Sequence, residues 1–141
     1  MTVTELLQQL KSRVSEEEYE KLKRGRLPHV SAANTKLLLQ LMADDRRDDS
    51  PVDPLQVTRL EQVTNDYLRR YLDQYPQSWK WVFLCCAYTA FILRIPMHPQ
   101  DWVHYTEKTT EGQTVYFCPQ KSRDPDTNCA FCVCRYPEEN T

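Results

Sequence analysis

Only two glycines, Gly25 and Gly112, occur in 141 residues, where an average chain of this length carries about ten. Few turns can then rely on a positive backbone φ, which argues against a hairpin-rich β-sandwich or a doubly wound nucleotide-binding sheet. Neither G-x-G-x-x-G nor G-x-x-x-x-G-K-[ST] occurs, so the usual phosphate-cradling loops are absent. A chain of this length can bury a core of its own without needing a disulfide or a metal to be stable. Eighteen basic residues stand against twenty acidic ones, a balance that gives no general attraction to nucleic acid or an anionic membrane.

The first half reads as helix after helix. Leu6, Leu7, Leu10 and Val14 recur at helical spacing after Thr4, and Ser15 followed by Glu18 has the spacing of a capping box that opens a second helix. Gly25 and Pro28 close that helix. A third is predicted from Ser31 to about Asp45, carrying Leu37, Leu38, Leu41 and Met42. Residues 44–54 are charged, contain two prolines and lack an apolar period, as expected of a loop. From Leu55 to Tyr75 the stripe Leu60, Val63, Tyr67, Leu68, Tyr71, Leu72 and Tyr75 predicts an amphipathic helix whose tyrosines pack into the core. Pro76 ends it, and Ser78 is placed to cap the next.

That next segment, Trp79 to Ile95, is apolar on nearly every side, and Pro96 stops it. Its uncharged run, Trp81 to Leu93, is 13 residues. Such a run makes about 20 Å of helix against a hydrocarbon core of about 30 Å, so a central buried helix is expected and a membrane span is not. Beyond Pro96 the apolar residues alternate, in Trp102-Val103-His104-Tyr105 and Thr114-Val115-Tyr116-Phe117, which predicts a β-hairpin with a longish loop. The expected fold is mainly α: a compact bundle of about five helices over residues 1–96, with a hairpin and cysteine-rich metal-binding tail over 97–141 packed on it.

The cysteines carry the chemistry. Cys85 and Cys86 are adjacent in the buried helix, where a free cysteine behaves as a small hydrophobe. Cys118, Cys129, Cys132 and Cys134 crowd into the last 24 residues as C-x10-C-x2-C-x-C. The opening residues show no apolar secretory stretch, so a reducing, cytoplasmic setting is expected, in which clustered cysteines point to metal or redox chemistry. In a C-x-x-C turn both thiolates can face one ion, and tetrahedral zinc takes four N or S ligands. Cys118, Cys129 and Cys132 are the first three candidates. The fourth is open between His98, flanked by prolines, and Cys134, whose C-x-C step is awkward beside an occupied turn. His104 is a weaker candidate, and His29 reads as an exposed loop residue. The usual cluster spacing C-x2-C-x2-C is missing, which favours zinc over an iron–sulfur cluster.

Ile95-Pro96-Met97-His98-Pro99, Gly112 to Lys121 with its Tyr-Phe-Cys-Pro-Gln-Lys end, and Cys129-Ala130-Phe131-Cys132-Val133 together resemble the C-terminal signature of a family of small archaeal proteins of unknown function, found largely in methanogens. The resemblance covers about a third of the chain closely. It implies His98, Cys118, Cys129 and Cys132 as site residues, leaves Cys134 outside the pattern and so favours His98 as fourth ligand. It also implies a cytoplasmic, anaerobic setting in which an iron–sulfur cluster is chemically reasonable, and it carries no activity.

Three function classes follow. A structural zinc site would make the protein an interaction or accessory factor with a protein partner. Asp101, Asp124 and Asp126 are the nearby carboxylates, and as loop residues they read as solvated, so an enzyme is not favoured. The alternative is a redox protein, using a cluster or a Cys132 or Cys134 thiolate with Arg135 as its cationic aid. The third class is a nucleic-acid-binding zinc module, with Lys21, Lys23, Arg24 and Arg26 as its basic patch. It suffers from the sign of residues 97–141, which hold four basic and seven acidic side chains.

Overall fold

Helix formation begins where the chain offers caps. In this computed structural model, which describes residues 1–71, 78–100 and 102–136, the Thr2 hydroxyl accepts from the Glu5 N–H at 3.1 Å and the Glu5 carboxylate accepts from the Thr2 N–H at 3.2 Å. This reciprocal box opens α1, Val3–Ser12. The expected box between Ser15 and Glu18 opens α2, Glu16–Lys23, which Gly25 leaves at φ 65. Ser31 accepts from the Asn34 N–H at 3.1 Å and caps α3, Ala32–Ala43. Pro54 starts α4, Pro54–Tyr71, at the position where a missing N–H costs nothing. The predicted Leu72, Tyr75 and Pro76 lie outside the described residues.

The apolar segment forms α5, Trp79–Ala87, and then widens into a π-helical stretch, Tyr88–Leu93. A single α-helix to Ile95 was the expectation, and the difference has a local cause. The buried Thr89 hydroxyl donates to the carbonyls of Cys85 at 2.9 Å and Cys86 at 3.1 Å, taking up acceptors where the regular ladder opens. Arg94, in the left-handed region at φ 55, ends the stretch. Ser78 sits at the expected cap position with a helical backbone and makes no side-chain cap bond. Its buried hydroxyl has no partner among the described residues.

Leu6, Leu7 and Leu10 of α1, Leu38 and Leu41 of α3, Leu60 of α4 and Phe83, Leu84 and Tyr88 of the α5 segment fill one core. The loop over 44–54 is tied to α1 by backbone: Val3 N–H donates to Ser50 O at 3.0 Å and Val52 N–H to Met1 O at 2.7 Å. The tyrosine stripe departs from expectation, since Tyr67 and Tyr71 are exposed, with ring centroids 4.9 Å apart. Leu60, Val63, Thr64 and Leu68 are the face that α4 buries. No helix among the described residues is long and apolar enough to cross a membrane.

The hairpin is present with its first strand displaced. β1, Thr106–Thr110, pairs antiparallel with β2, Gln113–Phe117, through Glu111 at φ 53 and Gly112 at φ 80. Two consecutive positive φ values make a tight two-residue turn whose twist suits the strands, so the threonine-rich run is recruited and not Trp102–Tyr105. Those residues instead form turns, with the Trp102 and Val103 N–H groups both donating to Pro99 O.

Tyr88 is fully buried, and its hydroxyl donates to Asp44 Oδ2 at 2.7 Å. Burial would raise the Asp44 carboxyl, but hydrogen bonds from Arg46 and Tyr88 outweigh it and hold its pKa below the ordinary value. A lowered carboxyl pKa contributes stability that is present above its unfolded value, about 3.9, and is lost as pH falls through the lower folded value. Asp44→Ala, which orphans the Tyr88 hydroxyl, should cost about 1–3 kcal/mol in urea unfolding at neutral pH. Asp44→Asn should remove this part of the acid sensitivity. Unfolding curves that superimpose on wild type at pH 7 and pH 3 would contradict the assignment.

Candidate functional site

The tail reaches the bundle through short, directed contacts. A 3₁₀ turn, Asn128–Phe131, packs beside α4, and Asn128 Nδ2 donates to Thr64 Oγ1 at 3.0 Å and to Cys86 Sγ at 3.3 Å. Phe131 meets Phe91 edge-on, with centroids 6.5 Å apart, and Arg59 of α4 pairs with Asp126. Further on, Phe117 and Arg135 form a parallel bridge, in which Cys118 N–H donates to Arg135 O and Arg135 N–H to Tyr116 O, each at 2.9 Å. Side chains alternate along extended backbone, so Cys118 and Cys134, one residue to either side of that bridge, share a face.

These contacts border a half-open cavity of about 590 Å³ between the bundle and the tail. All six cysteines line it, and all six are free thiols. Cys129 and Cys132 stand at the two ends of the 3₁₀ turn, closed by the Cys132 N–H to Cys129 O bond at 3.2 Å. Cys132 Sγ accepts from the Met97 N–H at 3.4 Å. Cys134 is buried; burial and the neighbouring Cys132 and Cys118 sulfurs push its thiol up to about 12. Lys121 brings its ammonium to this wall, donating to the carbonyls of Cys132, at 3.1 Å, and Cys134.

The opposite wall belongs to α5. Cys85 turns toward the Asn34 carbonyl, 3.7 Å from its Sγ, and burial raises its thiol far above the ordinary value. Cys86, one residue on, turns toward the tail. Burial pushes its thiol up to about 11 against the Asn128 hydrogen bond, and the sulfurs of Cys132 and Cys129 lie within electrostatic reach of it. His98 lines the cavity from an exposed position, with its ring 6.3 Å from that of Trp102, and its packing holds its pKa below the ordinary value. His29 lines it too, from an exposed backbone position at φ 60. His104 is exposed. Among the described residues, no three His, Cys, Asp or Glu side chains stand close enough together to hold an ion as they are.

Four candidates from the tail and His98 thus come to one cavity, although ten residues separate Cys118 from Cys129. Asp124 accepts from the Asp126 N–H at 2.9 Å, Asp126 pairs with Arg59, and Asp101 lies outside the described residues. Sequence reasoning missed Cys86, Asn128 and Lys121 as part of the site. The adjacent Cys85 and Cys86 gave one local clue: neighbours on a helix differ by about 100° in direction, so the two thiols face different neighbours. Which one faces the tail is decided by tertiary packing.

Residues 1–136 match the family DUF2115, described as an uncharacterised protein conserved in archaea. The chain belongs to that family. No curated protein and no solved structure matches it. The match spans both walls of the cavity in this DUF2115 chain, bundle and tail alike.

The thiols of this DUF2115 protein should differ sharply in reactivity. In metal-free protein at pH 8, Cys85 should alkylate at least tenfold more slowly than free cysteine, because its burial in the bundle leaves little thiolate whether or not the tail is docked. Mass mapping of the alkylated cysteines reads the rates; Cys85 reacting at the free-cysteine rate would refute this environment.

Proposed function

We propose that this protein binds a thiophilic metal ion, zinc, in the cavity between bundle and tail, and that Cys118, Cys129 and Cys132 are three of its ligands. The observation that carries the reading is the convergence of thiols from the end of β2 and the C-x-x-C turn on one cavity, unbridged and facing a helix wall. Zinc seeks four soft or borderline ligands at about 2.0–2.3 Å, and an ion entering here draws the sulfurs inward from their present separations. The Lys121 ammonium offsets the negative charge that bound thiolates gather, and the Met97 N–H and Asn128 amide supply the outer hydrogen bonds that orient sulfur ligands.

The role that fits is structural. After residue 96, only Val103 and Cys134 among the described side chains are buried and apolar, so the tail has little hydrophobic burial to fix it. A metal cross-link supplies that order, because ligand binding and folding are then one process. The protein would act as an accessory factor, presenting the metal-fastened tail and the exposed aromatics Tyr67, Tyr71 and Trp102 to a protein partner.

Elemental analysis of protein purified under nitrogen should find one zinc per chain. Cys129→Ser and Cys132→Ser should each abolish it and expose residues 118–136 to proteolysis, while Cys85→Ser should retain it. Wild-type protein without metal, or with iron and acid-labile sulfide in place of zinc, would overturn the proposal.

A further inference from the structure

Three tail thiols leave one corner of a tetrahedron open. Tetrahedral ligands must approach the ion from well-separated directions, which places demands on where the fourth can stand. Cys118 and Cys132 belong to the tail wall, and so does Cys134, which shares a face with Cys118 across the Phe117–Arg135 bridge. His98 sits at the exposed edge with its ring against Trp102. Cys86 comes from the other side of the cavity, on α5, the most buried helix of the bundle.

Its sulfur is also the one that the structure already aims. Asn128 immediately precedes Cys129, and its amide places one hydrogen on Cys86 Sγ at 3.3 Å and the other on Thr64 Oγ1 at 3.0 Å. Thr64 is itself buried and fixed by donating to Leu60 O at 2.7 Å. A chain of three hydrogen bonds therefore runs from the α4 backbone through the tail to the Cys86 sulfur. An amide donor pointed at a sulfur stabilises it as thiolate and fixes its direction, the usual office of a group behind a metal ligand. The same contact sets Cys86 beside the C-x-x-C turn.

We infer that Cys86 is the fourth ligand of this centre, giving a four-thiolate set of Cys86, Cys118, Cys129 and Cys132, with Cys134 as an outer thiol. The inference rests on the metal reading above. It changes what the ion does: a site confined to the tail would order only the tail, whereas a ligand on α5 makes zinc the fastening between tail and bundle. Removing zinc would then undock the tail from α4 and α5 and leave the helices standing.

Full-length protein stripped of metal and titrated with zinc, and with cobalt(II) as a visible probe, tests this. Cys86→Ser should weaken binding by more than about a hundredfold, beyond the range for loss of an outer-sphere partner, and should reduce the sulfur-to-cobalt absorption by about a quarter, one thiolate of four. A double variant with His98→Ala and Cys134→Ser lacks both rival ligands and should lose at most about tenfold, with that absorption kept. Zinc bound by Cys86→Ser at wild-type affinity would overturn the inference and leave the metal reading intact. Loss of zinc by the double variant would do the same. Wild-type protein that takes up neither metal would remove both. Should circular dichroism show Cys86→Ser unfolded, the double variant decides alone.

Discussion

A tail that buries almost nothing apolar has to be fixed by something else, and this constraint governs the rest of the structure. Hydrophobic burial is the main favourable term in folding, and the helical half has it in full: Leu6, Leu38, Leu41, Leu60 and Leu84 are essentially inaccessible to water. The tail holds its shape by polar stitches instead, among them the Asn128 amide, the Lys121 ammonium on two carbonyls and the Arg135 backbone bridge. The neutral ones are each worth about 1 kcal/mol net in water and the ammonium bonds about 1.5–3 kcal/mol. Polar stitches of that size set geometry more readily than they supply stability, and the geometry they set brings the tail thiols to one cavity.

The π-helical widening at Tyr88–Leu93 belongs to the same arrangement. It begins two residues beyond Cys86, with Thr89 holding the carbonyls of Cys85 and Cys86, so the two thiols occupy the last regular turn before the backbone changes register. Departures of this kind in an otherwise regular buried helix are frequent at functional sites. Here it adjoins the cavity wall and the Asp44–Tyr88 bond at once, with Tyr88 anchoring the segment to the end of α3.

How much could be read from residues alone depended on how local each cause is. The Ser15–Glu18 box and the Ser31 cap were legible because a cap is settled within four residues. The hairpin was legible in kind but not in place: the alternation at Trp102–Tyr105 looked strand-like, while the tight turn at Glu111-Gly112 decided the pairing. Tyr67 and Tyr71 shared the helical period with buried residues but sit at the edge of the stripe, where no neighbour covers them. The tail thiols were legible as a group from spacing. Cys86 was not, because a cysteine in an apolar helix looks like any small hydrophobe until the opposite wall is known. The family membership extends across the whole described tail and assigns no activity that could have filled the gap.

The most direct test is X-ray absorption at the zinc edge on the wild-type protein in solution. A first shell of four sulfur scatterers at about 2.3 Å is the predicted result. A shell of nitrogen and oxygen at shorter distance, or no bound zinc to measure, would contradict a thiolate centre joining tail to bundle.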